Sequence, residues 1–430
     1  MRTVYLSSKD LTNGTDFPGS EKVLRIKPHD FQNKYEVILL TFFLIKIENY
    51  EPNIAKLIKK LCSDYIDPVD VLDCSFSENF PCLKMATFPR GIMSMGRNIF
   101  EDHQNITTIF LPEGLKKIDD HCFTGCSNLK CIKLPSTLEV IGQCAFSSCR
   151  SLKNIDFPKS LQRIDRHAFS RCSSLDISVY VDFIVEKWAF YMANLNEVIV
   201  EGGKISEHSF RFASVKKITI KRDCSISEHS FCRTNVEQMI CYRSFIPYAC
   251  FYQCDKLKKI NIVGDCTIGE KCFAGCTMLE KVHMGNDTQF CNSSFSSTFL
   301  ETIDFPLPYN IPDFCFSDNS HLVKLVVPGN VEYIYSQAFK GCSKLKEIVF
   351  NEGLMSIHDS AFWKCFSLEK LVFPKSLKRI DGCAFEGCSA LKEIVFLGIE
   401  TIYNNTSFLE THPDLEIIYP SIFENIFDSD

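Results

Sequence analysis

Apolar residues recur along most of the chain in one pattern, which returns every 20 to 23 residues. In a clear copy of this pattern, Phe146 is followed by Cys149, Leu152, Ile155 and Phe157. We call the first of these residues the anchor phenylalanine. Its copies are Phe100, Phe123, Phe146, Phe169, Phe190, Phe210, Phe231, Phe251, Phe273, Phe295, Phe316, Phe339, Phe362, Phe385 and Phe408. A period of this length predicts a solenoid, because one unit cannot bury its apolar face alone whereas a stack of units can.

Each repeat contains one segment that alternates in the manner of a β-strand. Leu152, Ile155 and Phe157 are predicted to point inward and the residues that flank Ile155 to point outward. Strands of adjacent repeats are expected to pair as a parallel sheet that has one buried and one exposed face. A second inward cluster, before the chain turns to the next anchor, consists of Leu161 and Ile164.

Residues 1–67 follow a different pattern and are predicted to form a small helical cap. The apolar content from Asp30 to Tyr50 indicates a buried helix, and Pro52 begins a second helix at a position where proline costs no hydrogen bond. One face of the second helix is apolar, with Ile54, Leu57, Ile58 and Leu61. A cap is expected because the open end of a solenoid exposes core. The alternative is a small separate domain that binds a partner.

The pattern also sets the other domain boundaries. Residues 68–99 are predicted to form a degenerate first repeat, in which Phe76 and Phe88 stand in rough register. Residues 100–420 are predicted to form the solenoid of about 15 repeats, and residues 421–430 a frayed tail.

The inner formula A-F-x-x-C-x-x-L-x-x-I-x-[LF]-P resembles the unit of the BspA-like, or Treponema-type, leucine-rich repeats. The resemblance covers most of the chain. It implies an α/β leucine-rich-repeat solenoid, curved, with a parallel β-sheet on its concave face and short helical, 3-10 or irregular turns on its convex face. Members of this family in bacteria and protists are often surface proteins linked to adhesion, so the resemblance also implies a surface antigen or adhesin.

Composition and charge restrict the partners. The formal net charge is −6, so no global basic field would recruit nucleic acid or anionic lipid. The first ten residues lack the apolar core of a secretory signal, and the most apolar stretch, Val37 to Ile47, is about half the ~20 residues that span a bilayer. We therefore expect no integral membrane segment. The sequence favours the cytoplasm, whereas the family resemblance favours the cell surface.

The chain has 23 cysteines, and most stand in register with the repeat. Those three residues after an anchor are Cys126, Cys149, Cys172, Cys254, Cys276, Cys342, Cys365 and Cys388. Ala193, Ala213, Thr234 and Thr298 replace them in other repeats. Interchange with Ala and Thr indicates a small buried position, where a free thiol packs as a small hydrophobe. We expect reduced thiols, and the odd count rules out complete intrachain pairing.

No motif for nucleotide binding, zinc hydrolysis or nucleophilic catalysis is present, so we predict a protein that is not an enzyme and has no cofactor. Three cysteine pairs have spacing that a metal could use, but the second member of each is the recurring core cysteine: Cys122 with Cys126, Cys250 with Cys254, and Cys272 with Cys276. Four histidines stand two residues before an anchor, at His121, His167, His208 and His229. Inheritance with the repeat explains them; a metal or proton site at His208 and His229 is the alternative.

The candidate functional surface is the exposed face of the predicted sheet. One outward column is rich in lysine and is interrupted at Glu347, and the other becomes valine in the last four full repeats. The predicted ligand-binding residues are Lys217, Lys259, Lys281, His283, Lys324, Val326, Val349, Lys370, Val372 and Val395. An exposed apolar stripe usually marks an interaction surface. The alternative is that these valines only satisfy β-propensity.

These observations predict a non-enzymatic recognition scaffold that binds a protein or glycan ligand across the concave sheet face. Surface display as an antigen or adhesin is implied by the resemblance, and the alternative is an intracellular interaction scaffold. We expect a monomer or a weak oligomer, with no nucleic-acid partner.

Overall fold

The computed structural model describes residues 94–420 except Asp223 and Ser244, together with the short strands β1 (Arg2–Val4), β2 (Lys22–Leu24), β3 (Val71–Leu72) and β4 (Met85–Thr87). Of the predicted cap, residues 1–67, the structure describes only β1 and β2, which pair in parallel and give no support to a helical cap. The two predicted helices and the predicted frayed tail lie outside the described residues, as does most of the predicted degenerate first repeat. The chain divides into two compact units, Met1–Asn196 (unit 1) and Glu197–Asp430 (unit 2).

Every described repeat is built from strands and turns, and all strand pairs are parallel. A longer strand, which belongs to what we call the first ladder, corresponds to the predicted L-x-x-I-x-F segment. In unit 1 the first ladder contains β4, β6 (Thr108–Phe110) and β8 (Cys131–Lys133), paired in that order, and then β11 (Ser178–Val181). Strand β13 (Asn194–Val200) contains the boundary between the units. In unit 2 the first ladder consists of β15 (Ser214–Ile220), β17 (Gln238–Cys241), β19 (Lys259–Ile262), β21 (Lys281–His283), β24 (Lys324–Val327), β26 (Glu347–Phe350), β28 (Lys370–Phe373), β30 (Glu393–Phe396) and β32 (Glu416–Ile418).

A second ladder of two-residue strands lies between the strands of the first. In unit 1 it contains β3, β5 (Ser94–Met95), β7 (Lys117–Ile118), β9 (Val140–Ile141), β10 (Arg163–Ile164) and β12 (Ile184–Val185). In unit 2 it contains β14 (Lys204–Ile205), β16 (Ser225–Ile226), β18 (Phe245–Ile246), β20 (Thr267–Ile268), β22 (Gln289–Phe290), β23 (Asn310–Ile311), β25 (Tyr333–Ile334), β27 (Ser356–Ile357), β29 (Arg379–Ile380) and β31 (Ile402–Tyr403).

Of the predicted helical, 3-10 or irregular turns, only irregular turns occur among the described residues, around each anchor, and the second ladder adds short strands that the sequence did not predict. No helix occurs among the described residues. Ile164 pairs in register with Ile141 and Val185, and each of these side chains is fully buried. β-Branched side chains suit a pleated surface packed on a core, so each repeat adds a short strand here. Within each unit the fold is a parallel leucine-rich-repeat solenoid.

The anchor phenylalanines form the centre of the core. From Phe100 to Phe385 every anchor is fully buried. Within each unit, successive anchor rings stack with centroids 5.1–5.7 Å apart. Each ring buries a large apolar area against its neighbours, which is why one repeat would be unstable without the next.

In the turn around each anchor, the backbone conformation alternates between right-handed and left-handed, and the backbone N–H groups form hydrogen bonds with the next repeat. In the repeat of Phe123, the residues two before and two after the anchor, His121 and Gly125, have φ of 57° and 72°. The N–H groups of His121, Phe123 and Gly125 each donate to a carbonyl of the next repeat at 2.8 Å. Histidine tolerates this left-handed conformation better than most residues. A conformational role therefore accounts for the recurrence of histidine two residues before an anchor.

The recurring cysteines complete the core, and their predicted burial is confirmed. Each of the eight donates its Sγ–H to the carbonyl oxygen of the anchor phenylalanine one repeat earlier, at 3.0–3.4 Å. At the same position in its repeat, Asn319 donates Nδ2–H to the carbonyl of Phe295 at 2.9 Å. None of the 20 cysteines that the structure describes forms a disulfide. The carbonyl of Phe123, for example, already accepts the backbone N–H of Cys126 at 3.2 Å, so the thiol of Cys149 fills space and adds a second donor.

Candidate functional site

The first ladder of unit 2 presents one face to solvent. In β24, Leu325 and Val327 are fully buried, whereas Lys324 is exposed and Val326 is 43% exposed. Strands β26 and β28 have the same alternation. Consecutive residues of a strand point to opposite faces, so the first and third residues of each strand form two outward columns. The ten predicted ligand-binding residues all belong to these columns.

One column forms an apolar stripe. Val326 lies in register with Val349, and Val372 with Val395 and then Ile418. Val349 and Val372 are each 36% exposed. We call these five residues the valine stripe. Ile418 was missed in the sequence, although its position one 23-residue repeat after Val395 could have identified it.

The lysines next to the valine stripe are ion-paired. Lys324 Nζ lies 2.8 Å from Glu347 Oε1, and Lys370 Nζ lies 2.6 Å from Glu393 Oε1. Each pair joins directly opposed residues of adjacent strands. Glu347 stands in register with Lys324, so it interrupts the lysine column, and it is also the ion-pair partner of that lysine. Glu347 neutralises the lysine beside it, so the charges that flank the valines are already paired.

Lys217 is paired in the same way, but with a residue at a different spacing. Its Nζ lies 2.7 Å from Glu197 Oε1. Glu197 precedes Lys217 in one of the irregular, shorter repeats, where no regular spacing aligns the two residues. Lys217 is therefore a poor candidate for contact with an external charge.

Lys259 and Lys281 differ from the other lysines of the column. They lie directly opposite each other on paired strands, and both are exposed. Within the described part of the chain, neither lies within ion-pair distance of a carboxylate. Like charges placed opposite each other on a sheet are destabilising. His283 is exposed two residues after Lys281, in register with Asn261. We call Lys259, Lys281 and His283 the cationic zone.

The other predicted alternatives have less support from the geometry. His208 and His229 do stack, with ring centroids 5.0 Å apart, and the edge of Tyr248 contacts His229. Among the described residues, however, no three His, Cys, Asp or Glu side chains are arranged to hold a metal ion. The three cysteine pairs are core thiols, and burial raises the pKa of Cys122, Cys250 and Cys272 well above its ordinary value.

The second ladder of unit 2 carries a polar network that sequence reasoning missed. The ring of His358 stacks on Tyr335 at 5.0 Å, and His358 Nδ1 lies 3.0 Å from Asp381 Oδ2. Arg379 also pairs with Asp381. Register could have brought Tyr335, His358 and Asp381 together, because they are spaced by 23 residues.

Among the described residues, no helix has the length and the apolar character that crossing a membrane requires.

Comparison with known proteins shows that the repeats match a known repeat family. A family model described as "BspA type Leucine rich repeat region (6 copies)" matches residues 71–176, 175–245, 203–311 and 309–429. Among proteins of curated function, no sequence matches the chain.

Three solved structures are similar to this chain at low sequence identity. A leucine-rich repeat protein from Bacteroides ovatus is 20% identical over 78% of this chain and 82% of its own, with a TM-score of 0.45. A leucine rich cell surface protein from Faecalibacterium prausnitzii is 19% identical over 79% of this chain and 88% of its own, with a TM-score of 0.32. The pneumococcal vaccine antigen PcpA is 19% identical over 79% of this chain and 80% of its own, with a TM-score of 0.35.

Proposed function

The chain belongs to the BspA-type leucine-rich-repeat family, and from that premise we propose that it is a non-enzymatic scaffold that binds a protein partner through the exposed first-ladder face of unit 2. A glycan ligand on the same face is the alternative. The role of a surface antigen or adhesin is part of the proposal, with an intracellular interaction scaffold as the alternative.

The valine stripe is the observation that supports the proposal. Val326, Val349 and Val372 leave 36–43% of their surface exposed in the same column of neighbouring repeats. An apolar strip on a sheet face loses unfavourable hydration when a partner covers it. The paired charges of Lys324 with Glu347 and of Lys370 with Glu393 border this strip. A partner can cover the stripe without leaving one of these charges unpaired, which costs less than burying an unpaired charge.

A protein partner suits this surface better than a glycan. The stripe offers aliphatic side chains and no exposed aromatic ring, and its flanking polar groups already pair with each other. A sugar needs free donors and acceptors for its hydroxyl groups, because a buried polar group without a hydrogen bond is costly. An apolar side chain of a protein needs none.

Site-specific cross-linking in the native cell would identify the partner. A photo-reactive amino acid would be placed at Val349, and at Met278 as a control, because Met278 is 39% exposed and lies outside the stripe. Any protein joined through Val349 and not through Met278 would then be purified, and its affinity would be measured directly.

The affinity of the purified partner shows whether the valine stripe is the binding surface. Val349→Asp with Val372→Asp should weaken the purified complex by about 30-fold or more, the effect of losing a ~2 kcal/mol central contact. The matched control exchanges Lys378 and Glu400, an exposed ion pair outside the first ladder, written Lys378→Glu with Glu400→Lys, and preserves the pair. If the aspartate variant binds as tightly as the control, the stripe is only structural.

Cellular location has its own test. Protein from the native cell would be alkylated at lysis, denatured and weighed. Alkylation of nearly all 23 cysteines would support an intracellular scaffold. Several paired cysteines would indicate passage through an oxidising compartment and support the adhesin.

A further inference from the structure

The cationic zone points to the kind of partner that the valine stripe receives. The other three predicted ligand-binding lysines of this column each pair with a glutamate. The pairs are Lys217 with Glu197, Lys324 with Glu347, and Lys370 with Glu393. Lys259 and Lys281 oppose each other without one. Their repulsion weakens the sheet locally, and an external carboxylate between them would relieve it.

The surroundings of this pair do not remove its charge. Gln238 is the neighbour of Lys259 on the other side, in register on β17. The exposed carboxylates of Glu237 and Glu280 precede the columns by one position, and in the described structure neither comes within ion-pair distance of Lys259 or Lys281. The two ammonium groups are therefore available to an anion.

The spacing of the columns matches one turn of helix per repeat. Adjacent strands of a sheet lie ~4.8 Å apart. The pitch of an α-helix is ~5.4 Å, and residues four apart on one helix face have Cβ atoms about 5–6 Å apart. A helix laid across the strands can therefore place one side chain over each repeat, with two acidic residues over Lys259 and Lys281 and apolar residues over the valine stripe. The repeat between them carries the exposed Asp304, so the helix residue above it must be neutral or basic.

The length of the surface sets the length of the helix. From Lys259 to Val395 there are six repeat intervals, including the repeat of Thr302 between β21 and β24, and these strands belong to three separate sheets. At the strand spacing of a sheet the six intervals correspond to about 30 Å. A helix of about 20 residues covers this distance. The acidic end is best placed at the helix N-terminus, because the helix dipole stabilises negative charge there.

We infer that the partner, if the proposed function holds, presents an amphipathic helix of about 20 residues whose N-terminal turns are acidic and sit on Lys259 and Lys281, and whose apolar face covers the valine stripe. The inference rests on the proposed function and adds the chemistry and direction of the bound segment. The acidic end aligns the helix along the ladder, and the apolar face provides the affinity.

Designed peptides test the inference without knowledge of the natural partner. The first probe is a 20-residue helix with glutamates at positions 2, 5 and 6 and leucines along one face of the remaining turns, a length of about 30 Å. The second probe has lysines in place of the glutamates, and the third has serines in place of the leucines. Binding of each to the full chain is measured by fluorescence anisotropy at low and at physiological salt.

The acidic peptide should bind at least about ten-fold more tightly than the lysine peptide, a difference of ~1.4 kcal/mol, and the preference should shrink as salt rises. Lys259→Glu with Lys281→Glu should reverse the preference. The exchange of Lys378 and Glu400, an exposed ion pair outside the first ladder, should leave it unchanged, because that pair is neutral before and after. The serine peptide should bind to none of the variants.

Other outcomes would overturn the inference and separate it from the proposed function. If Val349→Asp with Val372→Asp abolishes peptide binding but charge reversal at Lys259 and Lys281 changes nothing, the stripe binds helices and the cationic zone has no role. If no peptide binds, the helical partner is wrong, while the cross-linking experiment still tests the stripe. If heparin binds and competes at Lys259 and Lys281 whereas the acidic peptide does not bind, the zone takes an anionic glycan instead.

Discussion

The rings of Phe362 and Phe385 lie nearly parallel, with centroids 5.1 Å apart and an interplanar angle of 4°. Phe339 is stacked on the opposite side of Phe362 at 5.2 Å and the same angle. Phe362 is therefore enclosed between two aromatic rings that come from other repeats. Its packing energy depends on residues that are distant in sequence, which couples the stability of each repeat to that of its neighbours.

Removal of one anchor ring should strongly reduce the stability of the fold. We predict that Phe362→Ala lowers the free energy of unfolding by about 3–5 kcal/mol, because the substitution leaves a cavity between two fixed rings. The control is Phe366→Ala, since Phe366 is 48% exposed four residues later. Its effect should be within ~0.5 kcal/mol. Urea unfolding followed by circular dichroism measures both, and equal midpoint shifts would contradict the role assigned to the stack.

The sequence was sufficient to predict the anchors, the first ladder and the buried cysteines, because each occupies a fixed place in the repeat and leaves a periodic signal. The second ladder could not be predicted in the same way. Its strands have two residues each, and one inward residue such as Ile141 or Ile164 carries no alternation that separates a strand from a turn. Pairing with the neighbouring repeats makes them strands.

Thiol reactivity should follow burial along the repeat. At pH 8, native protein should be alkylated by iodoacetamide at Cys131, which is exposed, and more slowly at the partly buried Cys144, Cys291 and Cys383. Cys172 should remain unmodified, because burial excludes the reagent and raises the pKa of its thiol to about 12. Peptide mass mapping over time measures the order. Modification of Cys172 as fast as that of Cys131 would show that the core opens.

Alkaline pH should destabilise the protein through the same buried thiols. Burial raises the pKa of Cys172 and of Cys315 to about 12 in the folded state, whereas an unfolded thiol titrates near ~8.5. Above the unfolded pKa, the native state retains protons that the unfolded state has lost, so stability falls as pH rises. Each contribution is fully present below the unfolded pKa and is lost progressively toward pH 12.

Urea midpoints at pH 7, 9 and 10 would measure this loss. Cys172→Ala should be less stable at pH 7 but should decline less steeply with pH than the unmodified chain. Cys131→Ala, at an exposed position, should decline as steeply as the unmodified chain. Identical pH slopes in all three proteins would assign the alkaline loss to other groups.

Two adjacent residues of β26 provide a test of the sheet's two faces. Val349→Asp should change the free energy of unfolding by less than about 1 kcal/mol, because Val349 is already 36% exposed. Ile348→Asp should cost about 3 kcal/mol or more, since Ile348 is 6% exposed and a carboxylate would be buried without a partner. Thermal unfolding of the two variants measures the difference. A large loss for Val349→Asp would mean that the valine stripe is part of the core.

The candidate surface shows where sequence reasoning stopped. The outward columns followed directly from alternation, and the valine stripe from its regular spacing. The pairing of lysines with glutamates did not follow from the alternation, because it depends on the register between strands. Lys324 and Glu347 could have been matched by the 23-residue spacing, but Lys217 and Glu197 lie in the irregular repeats, where the step varies from 20 to 22 residues. The sequence placed Lys259 and Lys281 in the same column, and the structure adds that they are directly opposed with no carboxylate within ion-pair distance among the described residues.

The close approach of Gly353 to Gly329 should tolerate no side chain. Gly353 has φ of 120°, and a Cβ built there would lie 2.1 Å from the carbonyl oxygen of Gly329. Because that oxygen belongs to the backbone, Gly353→Ala must move one repeat against another and should cost about 3 kcal/mol or more. Gly264, with φ of 87°, has no described atom within 4 Å of the position that a Cβ would occupy. Gly264→Ala should therefore cost only the ~1–2 kcal/mol of a left-handed alanine. The urea midpoints of the two variants compare these costs directly. Equal losses of stability would show that the backbone conformation alone requires glycine at position 353, rather than contact between repeats.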